Sequence, residues 1–206
     1  MRVFLVVVLL FVLLICASIF ALLSGNLALS VADVMGVIAY KLFGIGELSA
    51  TGEIVVWNLR VPRILIAILV GVSLACAGAI YQSIFRNPLV EPFILGASSG
   101  ASFGASLAIL LPSIFFSLEL SAFTFGLLAV FLAYTLAFER GVINSVALVL
   151  SGVIVGAIFS SLVGIMKYLS EDAQLREITF WMMGGLYHAS WDDIAINGLF
   201  GILCFI

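Results

Sequence analysis

The chain has 206 residues, of which 65% are hydrophobic and only 9% charged, with a formal net charge of −3. A soluble domain carries about 25% charged residues, so a water-soluble globule is excluded. No basic cluster exists to bind nucleic acid. What remains is an all-α polytopic protein whose solvent is the lipid bilayer.

Residues 3–23 carry no charge. The run exceeds the roughly 7–15 residues of a signal-peptide core, so it reads as a first transmembrane span and not a cleaved leader. Residues 26–53 form a connector of mixed character. Within it Ser30 and Asp33 stand three apart as a capping-box variant, opening a short interfacial helix to about Phe43. Gly44, Gly46 and Gly52 are expected to loosen the chain after it.

The second span covers 64–85, the 22 uncharged residues between Arg63 and Arg86. About 20 apolar residues suffice to cross the hydrocarbon layer. Arg60 and Arg63 precede it three apart, which in an α-helix puts both on one face. Residues 86–92, Arg-Asn-Pro-Leu-Val-Glu-Pro, punctuate the chain with Pro88 and Pro92. The third span is expected over 93–111, ending near Pro112. It opens with Gly96, Ser99, Gly100 and Gly104, small residues that let helix backbones approach closely.

Residues 113–119 form a brief turn whose phenylalanines, 115 and 116, also suit the membrane interface. The fourth span runs 120–138 and stops at Glu139-Arg140. The fifth, 146–166, carries a small-residue stripe: Gly152, Gly156, Ser160, Ser161 and Gly164. The polar stretch 167–193 then holds five of the eleven acidic residues, the single histidine and two of the three tryptophans. Trp181 and Trp191 are placed as interface anchors would be. Residues 175–183 are expected to form a surface helix that Gly184-Gly185 ends. The last run, 194–206, has 13 residues, too few to cross a bilayer, so the chain is expected to stop inside its sixth span. About six spans result.

Cys16, Cys76 and Cys204 lie in apolar runs without disulfide or metal spacing and read as buried free thiols. Gly96-Ala-Ser98-Ser-Gly100 satisfies the nucleophile-elbow pattern, but that chemistry needs a strand–turn–helix setting with a histidine and an acid at hand. Here it opens a membrane helix, so an intramembrane hydrolase is disfavoured. His188 has no second histidine with which to share a metal, and no metal site is expected. No G-x-x-x-x-G-K-[ST] pattern occurs to cradle ATP phosphates. No span carries an interior charge of the kind that marks an ion-coupled carrier. Energy for any transport must therefore come from another subunit.

Three pieces of the sequence then resemble a known family: the Arg60-x-Pro62-Arg63 start, the run GVSLACAGAIYQ over 71–82, and RNPLVEPFILGASSGA over 86–101. In that order and spacing they are similar to the FecCD-type permeases, membrane subunits of ABC importers for iron–siderophores, haem, cobalamin and related metal chelates. The resemblance implies that this is the first part of a ten-helix permease domain in the cell membrane, working as a homodimer or paired permease. It implies two cytoplasmic ATP-binding subunits, which bind ATP and magnesium so that this chain needs no cofactor, and an external substrate-binding protein. It also implies site residues: Arg60 and Arg63 to receive carboxylates of the binding protein, Asn87, Leu89, Asn144 and Ser145 to close a cytoplasmic gate, and Gly152, Gly156, Ser160 and Ser161 to line the pathway. Charge counting alone prefers the reverse orientation; the resemblance implies a cytoplasmic amino terminus. The element that contacts the ATPase follows the sixth span in such permeases, so these 206 residues are expected not to transport by themselves. An ion-coupled secondary transporter is the alternative.

Overall fold

A computed structural model describes residues 2–45, 49–113, 117–139 and 142–205. Gly46, the phenylalanines at 115 and 116, and Arg140 lie outside the described residues. The chain divides into two compact units, Met1–Ser73 with Leu186–Ile206, and Leu74–Gly185. Four helices are long and apolar enough to cross a membrane by length and composition, those over Arg2–Leu23, Ala50–Phe85, Leu118–Ala137 and Ser145–Leu169.

In the first unit, α1 (Arg2–Leu23) is apolar all round and has no buried residue. Cys16, expected to be buried, is exposed on it. The helix α2 (Val31–Phe43) begins with the anticipated capping box. Asp33 N–H donates to Ser30 Oγ at 3.1 Å, and Ser30 N–H donates to the Asp33 carboxylate at 3.0 Å. It ends on Gly44, whose φ of 71° is the left-handed conformation that glycine adopts freely. Val34 and Val37 of α2 pack on Val56 to form this unit's core. Gly52 does not loosen the chain as expected. A Cβ there would stand 2.9 Å from Val37 Cγ2, so its missing side chain is what lets the helices close.

The Ser30 hydroxyl and, after it, the Ser30 backbone N–H hold the Asp33 carboxyl below its usual pKa. The stabilisation is therefore present above the ordinary aspartate range and lost as pH falls through the lowered value. Amide protection in the first turn of α2 is expected to stay level down to about pH 4 and to decline below it. Asp33→Asn should abolish that decline. A decline already under way near neutral pH would assign the effect to another group.

The second expected span begins much earlier than predicted. The chain is helical from α3 (Ala50–Gly52) through a π-helical segment (Glu53–Arg60) into α4 (Val61–Phe85). Pro62 is the reason. A proline inside an α-helix lacks the N–H and its ring meets the carbonyl four residues back, so a helix either breaks or widens locally. Here it widens: Val61 N–H bonds Val56 O, five residues back. The unit closes with α9 (Trp191–Phe205), which opens with a second Ser-x-x-Asp box. Ser190 N–H and Oγ donate to Asp193 at 2.9 and 2.7 Å.

In the second unit, α4 ends and residues 86–96 form irregular turns, with Arg86 at a φ of 49°. The helix α5 (Ala97–Leu110) has 14 residues, fewer than the expected 93–111, because Gly96 at φ 79° is its N-cap. It packs chiefly on α6 (Leu118–Ala137) and then on α7 (Ser145–Leu169). Where α5 meets α6, a Cβ on Gly100 or Gly104 would stand 2.4 Å from Phe125 O or Ser121 O. Ser121 Oγ donates to Gly104 O at 2.8 Å. Ala129, Ala133, Val155 and Phe159 form the core, with Phe103 edge-on to Phe125. A two-residue antiparallel ladder, β1 (Phe138–Glu139) and β2 (Val142–Ile143), links α6 to α7. The surface helix α8 (Asp172–Met183) starts three residues before the expected 175 and ends at Gly184 as expected. Gln174 Nε2 donates to Ile109 O at 3.4 Å, serving a carbonyl at the end of α5.

Candidate functional site

The two arginines expected to share one task are used differently. Arg60 is only 8% exposed. Its Nη1 donates to Leu22 O at 2.6 Å and its Nη2 to Leu27 O at 2.7 Å. Leu22 is in the last turn of α1, where carbonyls lack helical partners and the dipole favours a cation. Gly25 lies against the same group: a Cβ there would stand 2.6 Å from Arg60 Nη2, so a side chain at 25 would displace the guanidinium. Arg63, one residue beyond Pro62, is exposed. Its Nε donates to Leu186 O at 3.1 Å and its Nη2 to Tyr187 O at 3.5 Å. Arg60 ends the π-helical segment and Arg63 lies in the first turn of α4, and their donors serve different backbone carbonyls.

The first unit also holds a group of aromatic and charged side chains. Lys41 Nζ donates to Glu53 Oε1 at 2.5 Å and stands 5.9 Å from the centroid of the Trp57 ring. The Trp57 and Trp191 rings lie 5.0 Å apart, and Trp191 Nε1 donates to Trp57 O at 3.1 Å. Trp191 therefore has a specific partner beyond the interface role read from its position. The His188 ring packs on Tyr187 at 4.4 Å, and among the described residues no cluster of three metal-ligating side chains occurs.

In the second unit, Asn87 and Asn144 do the same local work. Asn87 Oδ1 accepts from Leu89 N–H at 3.0 Å, and Asn144 Oδ1 caps α7 by accepting from Val146 N–H at 2.8 Å. Leu89 is 84% exposed, and Asn144 and Ser145 are exposed at the start of α7. An apolar side chain so open to its surroundings has no packing role within this unit.

The small-residue stripe of α7 separates into two parts. Gly152 is buried against the 94–96 turn: a Cβ would stand 2.3 Å from Ile94 O. Gly156 faces Gly96 at ordinary van der Waals distance. Ser160 and Ser161 are exposed. Ser160 Oγ lies 3.2 Å from Ser99 Oγ, while Ser161 Oγ returns to Ala157 O at 2.9 Å. Ser98 sits in the first turn of α5 after an irregular segment, not on a strand-to-helix elbow. The described residues of the four long helices carry charge at Arg2, Glu53, Arg60, Arg63, Glu119 and Lys167, and residues 64–85 of the longest carry none.

The model of the FecCD transport family matches residues 10–206. The vitamin B12 import system permease protein BtuC of Klebsiella pneumoniae subsp. pneumoniae is 39% identical over 165 residues, covering 77% of this chain and 49% of that one. The molybdate import system permease protein MolB of Haemophilus influenzae is 33% identical over 193 residues, 93% of this chain and 57% of that one. The hemin transport system permease protein HmuU of Yersinia pestis is 34% identical, over 68% of this chain and 44% of its own. A solved structure described as an inward-facing, metal-chelate type ABC transporter superposes with a TM-score of 0.76 at 33% identity, covering 95% of this chain and 58% of that one. The chain thus spans about half the length of the curated relatives it matches.

Proposed function

The chain belongs to the FecCD transport family, and from that premise we propose that it is part of the permease of an ATP-driven importer for a metal chelate or a related small metal-containing anion. The family match across residues 10–206 carries the reading. The absence of charge from residues 64–85 and from the interiors of α1, α6 and α7 supports it against an ion-coupled carrier. It is a multi-pass protein of the cell membrane. Two permease copies enclose a pathway, a separate ATPase pair beneath them binds ATP and magnesium, and a binding protein docks outside. The relatives import vitamin B12, molybdate and hemin; the cargo here is of that class.

The chain's own residues take defined parts in this scheme. Arg63 receives a carboxylate of the binding protein: its planar fork makes paired hydrogen bonds and remains charged. Arg60, whose donors serve Leu22 and Leu27, supports the turn beside it. Asn87, Leu89, Asn144 and Ser145 form the cytoplasmic closure, with Leu89 as the apolar plug. Ser160 and Ser161 line the pathway with hydroxyls, and Gly152 and Gly156 hold that helix against the 94–96 turn.

Arg63→Glu in the full-length permease is expected to weaken docking of the external binding protein by about 100-fold. Its melting temperature should stay close to that of the parent, because Arg63 is exposed. Unchanged docking by a folded Arg63→Glu protein would remove this arginine from the interface.

A further inference from the structure

We propose that Trp191 is the positioning residue for Arg63, through a backbone bond that Pro62 cannot make. The inference rests on the docking role given to Arg63 above. In the π-helical segment each N–H reaches five residues back, as Val61 N–H does to Val56 O. Continuing that register, the donor for Trp57 O is residue 62, a proline without an N–H. Trp57 O is instead met from outside the helix by Trp191 Nε1 at 3.1 Å, with the two indole rings 5.0 Å apart. Pro62 itself is fully buried.

The consequence runs along the chain. Trp191 is the first residue of α9, and its N-cap Ser190 is locked by the Asp193 box. Fixing Trp191 on Trp57 therefore fixes the segment leading into it. Four and five residues earlier, Tyr187 and Leu186 present the carbonyls that hold the Arg63 guanidinium. Trp57 and Arg63 are six residues apart on one helix, so the segment 186–191 is fastened to it at both ends. A guanidinium restrained on two carbonyls surrenders less freedom when a carboxylate arrives than a free one does. Pro62 thus contributes to docking by what it lacks.

The test uses the full-length permease in nanodiscs, with amide exchange over 186–191 and docking of the external binding protein encoded with it as separate readouts. Trp191→Phe keeps the ring pair and removes the N–H. It is expected to speed exchange of that segment about tenfold and to weaken docking about fivefold. Pro62→Ala restores a backbone donor that competes for Trp57 O, so it is expected to loosen the same segment although it touches none of it. In the double variant Trp57 O again has a partner. Thermal stability lost in Trp191→Phe should return, while exchange stays fast and docking stays weak. That split is what a merely structural tryptophan would not produce. Parent-like exchange in Pro62→Ala, or parent-like docking in Trp191→Phe beside a failed Arg63→Glu, overturns the proposal and leaves the docking role of Arg63 standing. If Arg63→Glu docks normally, the docking role falls and the positioning role with it.

Discussion

Gly152→Ala is expected to lower the melting temperature of the permease sharply, by a destabilisation of about 3 kcal/mol. The added methyl would stand 2.3 Å from Ile94 O and 2.8 Å from Leu95 Cα. Both are backbone atoms, so no side-chain rotation relieves the overlap. The turn before α5 would have to leave α7, taking Gly96 and its left-handed cap with it. Gly164→Ala on the same helix is the control, since nothing lies within 4 Å of the position. Fluorescence-detected size exclusion after a heating series separates the two. Equal melting curves would mean that α7 and the 94–96 turn are not packed as described.

The second large effect is expected at Arg60. Arg60→Met keeps much of the apolar stem but removes both donors, leaving Leu22 O and Leu27 O unserved. Hydrogen bonds from a charged donor contribute about 1.5–3 kcal/mol each, and orphaned partners add to the loss. A fall of about 3 kcal/mol or more in stability is therefore expected, read as loss of monodisperse protein after extraction. Arg63→Ala should leave that profile nearly unchanged. The pair of measurements assigns one arginine to the fold and the other to the surface. If Arg60→Met extracts and melts like the parent while Arg63→Ala fails, the assignments are reversed.

Much of this was legible in the sequence. The charge-free runs give α1, α6 and α7 within a few residues, since hydropathy in a membrane is a direct statement of solvent. Ser30 and Asp33 announced α2 through capping chemistry, and Ser190 and Asp193 carry the identical spacing without having been read. What was hidden depends on tertiary partners. Helix patterning places Arg60 beside Arg63, yet burial divides them: Arg60 is buried and bonded to Leu22 O and Leu27 O, whereas Arg63 is exposed. Nothing local tells that Trp191 answers a carbonyl at Trp57, 134 positions away. The glycines of α7 were read as one stripe, yet Gly152 is clamped by backbone and Gly164 is open; spacing alone cannot distinguish them. The candidate site was therefore visible as a set of positions, while the division of labour within it needed coordinates.

The shortness of α5 bears on how the protein reaches the bilayer. With 14 residues it measures about 21 Å against a hydrocarbon layer of about 30 Å. It also carries hydroxyls at Ser98, Ser99, Ser102 and Ser106. A nascent segment of that kind partitions poorly from the translocon into lipid by itself, unlike α1, which is apolar throughout. Its companion is α6, which abuts Gly100 and Gly104 and whose Ser121 donates to Gly104 O. The two are therefore expected to enter lipid as a paired hairpin, with α6 covering the glycine face of α5.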